Sequence, residues 1–397
     1  MKKYTVIDLF AGVGGLSYGF YNNDAFQILL ANELDKDTAI AYQLNHPTVK
    51  VLNCDIRDIN QEVLKDNNIH FIDIVVGGPP CQSYSTLGKR RNDEKANLFL
   101  EYCRILDILQ PKIFILENVT GMLSMLSGRL FQKMQLQFEK IGYQTKYQVL
   151  NALDYGVPQI RQRVILVGTK IQRNDLKKSL DNNQSNSQNA SHFEFPQPTH
   201  GNKYCTKDFA NLQPIVTLQD TLSDMPILQS GQTNNIYSTP PQNEFQKFVR
   251  QNCTQLTENT APKNGNHLIK IMQNLPDGGN KNDLPLDIRP KSGYGNTYAK
   301  LWWQRPVPTI TRNFACVSSS RCIHPRDSRA LTTREGARLQ SFPDSYQFYG
   351  SKSKKNLQIG NAVPPLLSIA IANSVQQYLE GQSIVNNKMD INDDINI

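Results

Sequence analysis

The chain has 397 residues, enough for a large core and more than one lobe. Its net charge of +8 favours a polyanionic partner such as a nucleic acid over a membrane role, since no apolar stretch approaches a bilayer span. Seven irregularly spaced cysteines without a CxxC pair exclude a disulfide framework and a structural metal, and point to a reduced, cytoplasmic setting.

Met1-Lys2-Lys3 and the apolar residues after it open like a signal peptide, but Asp8 and the glycines from Gly12 to Gly15 interrupt the apolar run too early. Residues 4–9 instead read as a strand, Phe10 to Gly15 as a glycine turn, and residues 16–21 as a helix. Strand, glycine turn and helix N-terminus open a nucleotide-binding βαβ unit, although Gly12-x-Gly14-Gly15 is not GxGxxG. A second strand, 28–31, ends at Asn32-Glu33, where a ribose hydroxyl partner belongs. A short third, 49–52, precedes Cys54-Asp55-Ile56. Glu33 and Asp55 are otherwise simply surface charges.

Residues 72–76 suit a buried strand that Gly77-Gly78-Pro79-Pro80 must end. The prolines hold Cys81 rigidly at the carboxyl edge of that strand, where ligands bind in an open α/β sheet. The bland alternative is a buried structural thiol. Residues 111–116 form another apolar strand, with Glu117-Asn118-Val119 at its end. Cys81 and Glu117 then share a sheet edge as a thiol nucleophile beside a carboxyl group, unless Glu117 only caps the next helix. Arg161 and Arg163 precede the strand 164–168, and spacing of two on a strand gives them one face. They either bind a phosphate or base edge, or form a solvated face.

Taken in order, these segments resemble the C5-cytosine DNA methyltransferases. Asp8 to Gly15 (DLFAGVGG) resembles the first motif of that family, and Gly78 to Ser83 (GPPCQS) its catalytic motif. Glu117-Asn118-Val119 resembles the glutamate motif and Gln159-x-Arg161-x-Arg163 the arginine motif. Arg334 to Pro343 (REGARLQSFP) is similar to the ninth motif, and Gln358 to Pro365 (QIGNAVPP) to the last. The resemblance implies an α/β, Rossmann-like sheet dependent on S-adenosylmethionine, with a smaller irregular target-recognition domain.

By that resemblance, Cys81 attacks C6 of a cytosine flipped out of duplex DNA, and C5 takes the methyl group. Glu117 bonds N3 and the exocyclic amine, Arg163 supports the O2 side and Arg161 the surrounding nucleotide. Phe10, Gly12, Gly14 and Leu16 line the methionine and ribose region, and Glu33 takes the ribose hydroxyls. Asp55 and Ile56 hold the adenine, covered by Leu34 where relatives often carry an aromatic ring. Pro80, Leu98, Asn361 and Val363 close the pocket. Gln82 and Ser85 belong to the catalytic loop, and Lys89, Arg90 and Arg91 meet phosphate as it closes, unless they are an ordinary solvated charge run.

Beyond Lys170 the texture changes, with a loop rich in Asn, Gln and Ser at 181–191 and little periodicity from 193 to 305. The resemblance makes this the DNA-reading part, with Tyr294 and Arg312 as contacts and Arg321, Arg326 and Arg329 as added charge. Residues 366–379 repeat at helical spacing, and Gly381 is expected to end that helix. The expected division is a catalytic domain of 1–170 plus 354–381, a recognition domain of 171–353, and a disordered tail of 382–397. A monomer acting on double-stranded DNA in a restriction–modification system, beside a cognate endonuclease, follows from family habit. Against it stand a tRNA methyltransferase of the same fold, which would have a shorter recognition segment, and a dead methyltransferase, which would not need Cys81, Glu117 and Arg163. A nicotinamide-dependent dehydrogenase explains only the glycine turn.

Overall fold

The computed structural model describes residues 3–80, 98–171, 193–201, 212–291, 293 and 296–393. Cys81, Gln82, Ser85, Lys89, Arg90, Arg91 and Tyr294 lie outside the described residues.

The chain opens with β1 (Tyr4–Leu9), α1 (Ser17–Tyr21), β2 (Phe26–Asn32), α2 (Lys36–Asn45) and β3 (Lys50–Leu52). It continues through α3 (Gln61–Asp66), β4 (Ile74–Gly77), α4 (Leu98–Leu109) and β5 (Ile113–Val119). Then follow α5 (Arg129–Lys140), β6 (Tyr143–Asn151), the two-residue β7 (Gln159–Ile160) and β8 (Gln162–Lys170). One sheet takes the order β3-β2-β1-β4-β5-β8-β6. The strands from β3 to β5 are parallel, while β8 runs antiparallel to both β5 and β6.

Alternation explains why these segments are strands. Val6, Ile28, Val76 and Ile115 face one buried cluster, and Ile7, Leu30, Val75 and Leu116 face the other. Chain order reverses between β1 and β4, so their carboxyl ends flank the crevice where such sheets bind ligands.

Two boundaries differ from expectation. β5 runs past residue 116 to Val119, because Glu117 and Asn118 pair with Ile165 and Val164 of β8. Glu117 is therefore a strand residue and not a helix cap. The final helix does not stop at Gly381 but extends to Asp393. A single glycine costs a helix only about 1 kcal/mol relative to alanine, and no proline follows to break it.

Between residues 212 and 361 the elements are short. The helices are α6 (Leu218–Leu222), α7 (Glu244–Val249), α8 (Asn266–Asn274), α9 (Thr333–Leu339) and α10 (Lys352–Asn361). The last helix, α11 (Pro365–Asp393), packs back on the sheet through Leu367, Ile371 and Val375. No helix among the described residues is long and apolar enough to cross a membrane.

Candidate active site

The turn after β1 is built on left-handed backbone at Phe10, Gly12 and Gly14, with φ of 56°, 57° and 89°. The Gly12 amide donates to Glu33 Oε2 at 2.9 Å, and the Asp35 amide donates to Glu33 Oε1 at 2.8 Å. Glu33 thus fastens the glycine turn to the start of α2. Burial pushes its carboxyl above the usual range despite those two donors. Asp35 caps α2 by accepting from the Thr38 amide, and Lys354 of α10 pairs with it at 2.5 Å.

A cavity of about 880 Å³ opens at this edge. Phe10, Gly12, Leu16, Glu33 and Leu34 line one end, with Asp55 and Ile56 beside them. Leu34 is 66% exposed, an apolar surface ready to be covered. Pro80, Leu98, Asn361 and Val363 line it further along, and Glu117 and Arg163 close the other end. Gly14 does not reach the cavity, contrary to expectation. A Cβ there would meet the His46 ring, so this glycine serves packing behind the turn.

At the far end, Arg163 Nε lies 2.8 Å from Glu117 Oε1, with both side chains nearly enclosed. Burial raises the Glu117 carboxyl above its ordinary value, opposed by the charges of Arg163 and Arg161. Gly78 keeps this carboxylate accessible, since a Cβ there would sit 3.1 Å from Glu117 Oε2. Asn118 Nδ2 donates to the Pro79 carbonyl at 3.0 Å and ties β5 to the proline turn. That tie had no sequence signal beyond the polar Asn next to Glu117 in an apolar strand.

The comparisons bear on this arrangement directly. The family model for the C-5 cytosine-specific DNA methylases matches residues 4–377. The chain belongs to this family. Its reaction is methylation of cytosine at C5 in DNA. Type II methyltransferase M1.HphI of Haemophilus parahaemolyticus is 34% identical over 94% of this chain and 86% of its own length. Type II methyltransferase M.DdeI of Desulfomicrobium norvegicum is 32% identical over 96% and 90%. The crystal structure of a DNA modification methyltransferase encoded within an Escherichia coli prophage superposes with a TM-score of 0.72 at 25% identity, covering 95% of this chain and all of that one.

Within the methylase site, the two arginines part company. Arg161 does not share a face with Arg163: it sits at the break between β7 and β8, 1% exposed, where strand alternation does not apply. Its Nη1 donates to Ile310 O at 3.1 Å, and its Nη2 donates to Gly360 O and Ala362 O at 2.9 and 3.0 Å. Arg161 therefore clamps the last motif against the sheet with three of its five N–H groups, while its buried Nε has no partner. Gln159 acts beside it, donating from Nε2 to Leu339 O and accepting from the Ile310 amide.

Three of the arginines expected to add charge for DNA are also committed to structure. Arg329 is 1% exposed and paired with Glu335 and Asp327. Arg321 donates to Gly278 O and stacks on Trp302, and Arg326 pairs with Asp327. Arg312 and Arg326 are the exposed ones of the four, and the Arg312 backbone lies against Gly360 at the cavity wall.

Two further residues escaped sequence reasoning. Asp8 lines the cavity and accepts from Ser17 Oγ, and burial pushes it up to about 7. Tyr346 donates its hydroxyl to the Val13 carbonyl, joining the segment after α9 to the glycine turn.

Proposed function

We propose that the cavity takes S-adenosylmethionine at its Glu33 end and an extrahelical cytosine at its Glu117 end. The carrying observation is that one continuous cavity reaches from Glu33 and Leu34 to Glu117 and Arg163. The residues present fit the cofactor: a carboxylate held in place for ribose hydroxyls, an exposed leucine face for adenine, and a glycine turn that lets the backbone approach. S-adenosylmethionine, when bound there, supplies an electrophilic methyl group.

Cys81 follows Pro80 at the cavity wall, and its thiolate adds to C6 of the cytosine, making C5 nucleophilic. Glu117 hydrogen-bonds N3 and the exocyclic amine, offsetting the charge that builds on the ring as the thiolate adds. Arg163 keeps that carboxyl oriented and faces the O2 side. After methyl transfer, loss of the C5 proton and elimination of Cys81 restore the aromatic ring. Arg161 is a positioning residue here, acting through Gly360 and Ala362.

The catalytic domain comprises 1–170 plus 354–381, and the recognition domain 171–353. The relatives named type II methyltransferases support a restriction–modification role. The same reading takes the chain as a monomer in a bacterial cytoplasm, modifying duplex DNA beside a separate endonuclease. The test is incubation with S-adenosylmethionine and unmethylated genomic DNA, then bisulfite mapping. Methylation confined to one short motif is the expected outcome. DNA carrying 5-fluorocytosine at that target is expected to trap an adduct on Cys81. Absence of an adduct with cofactor bound would refute C6 attack.

A further inference from the structure

The Asp55 carboxylate lines the cavity, yet most of its accepting capacity is already taken by Arg57, which is not a lining residue. Asp55 caps the single helical turn Ile56–Asp58 by accepting from the Arg57 amide at Oδ1, at 2.9 Å. The Arg57 side chain then forks onto both oxygens, Nε to Oδ1 at 2.9 Å and Nη2 to Oδ2 at 2.7 Å. These hydrogen bonds hold the Asp55 carboxyl below its ordinary value. A carboxylate has about four lone-pair positions. Oδ1 has two donors and Oδ2 has one, so a single acceptor position, on Oδ2, is left for a ligand.

The backbone around this pair is fixed by different residues. Arg104 of α4 donates from Nη2 to Ile56 O at 3.0 Å and from Nη1 to Ile59 O at 2.8 Å, and its Nε pairs with Glu101 at 2.6 Å. Asn53 Nδ2 donates to the Glu33 and Leu34 carbonyls, both at 2.9 Å. Leu34 and Asp55 stand at the ends of two neighbouring strands, and these bonds hold them at a set separation. Arg104 thus places the turn, while Arg57 places the carboxylate on it.

An ionised carboxylate accepts and does not donate. A 6-amino purine offers it an N–H group, whereas a 6-oxo purine turns a second acceptor towards it. We infer that Arg57 is a specificity-determining positioning residue, whose fork fixes Asp55 as a one-place acceptor and so selects a 6-amino over a 6-oxo purine in the cofactor. This rests on the proposed function and deepens its adenine contact.

The test is isothermal titration calorimetry of the full chain with S-adenosylhomocysteine and with its 6-oxo counterpart, S-inosylhomocysteine. The unsubstituted protein is expected to prefer the adenine ligand about ten- to a hundredfold. Arg57→Ala is expected to raise Kd for the adenine ligand about tenfold and to leave the 6-oxo ligand within about twofold, so that the preference falls about tenfold. Arg57→Lys keeps the charge without the fork and is expected to recover only part of the preference. Arg104→Met is expected to weaken both ligands by the same factor, which is the mark of a purely structural role. Should Arg57→Ala not fold, Arg57→Gln carries the same expectation. No preference in the unsubstituted protein, both ligands weakened equally by the Arg57 substitution, or full recovery in Arg57→Lys overturns the inference and leaves the proposed function standing. An unsubstituted protein that binds neither ligand overturns both.

Discussion

The sheet and the region from 212 to 350 solve the same problem by different chemistry. In the sheet, backbone groups pair along ladders, and the side chains above and below are almost wholly apolar. The later region has few ladders, so its carbonyls need other donors. Arginines supply them. Arg334 donates to Thr257 O, Pro343 O and Tyr346 O; Arg329 donates to Leu228 O and Ala330 O; Arg338 donates to Thr221 O. Each is buried, and Arg329 and Arg338 are neutralised by carboxylates. Irregular backbone therefore does not have to be loose backbone, provided that multi-donor cations fill its interior.

The sharpest way to break that contrast is Arg338→Met. It removes the buried pairs to Asp224 and Asp344, leaving Arg250 on the first and the Tyr237 hydroxyl on the second, and is expected to cost about 3–5 kcal/mol, read as a fall in Cm by denaturant titration. A loss below about 1 kcal/mol would mean the buried pairs do not hold the region.

The pH dependence separates the regions by sign. Burial lowers His324 to about 4, so between about 6.5 and 4 the unfolded chain binds more protons, and stability falls as pH drops through that window. Burial raises Asp8 to about 7, so between about 4 and 7 the folded state binds more protons, and stability falls as pH rises. Asp8→Asn is expected to raise Tm at pH 8 and to leave it unchanged at pH 4. His324→Gln is expected to flatten the acid limb. A gain from Asp8→Asn that is equal at both pH values would contradict the Asp8 assignment.

Asn118→Ala removes the tie to Pro79 and is expected to cost about 1–3 kcal/mol in stability. Because it loosens the turn before Cys81, kcat is expected to fall about ten- to a hundredfold while cofactor Kd holds. An equal loss in both would make it a folding residue only. The mildest probe is Ile115→Val in the middle of the sheet, expected to cost about 0.5–1.5 kcal/mol with turnover intact.

Much of the sheet was legible because β1, β2, β4 and β5 carry the near-continuous apolar runs of strands buried on both faces, and each ends at a polar or glycine-rich stop. The cavity lining was legible through the family resemblance at Phe10, Glu33, Glu117 and Arg163. What was not legible depends on contacts far apart in the chain. Gly14 faces His46, and nothing local distinguishes it from Gly12. Arg161 turns into the protein because β7 pairs with residues 307–308 of the later region and leaves Arg161 at a break before β8. Arg329 reads as a surface charge until Glu335 and Asp327 are brought against it.

One packing detail reaches beyond the folded state. The Gly19 amide in α1 donates to Ser368 Oγ at 2.8 Å, Ser368 donates to Leu16 O, and a Cβ on Gly15 would collide with the Val363 carbonyl. The opening glycine turn thus meets its partners only after residue 368 has left the ribosome. At about 5–20 residues per second, that is a wait of the order of tens of seconds. Throughout that interval the nascent chain has the strands for a cofactor site but not its closing wall, so the site becomes competent only after the last helix has been made.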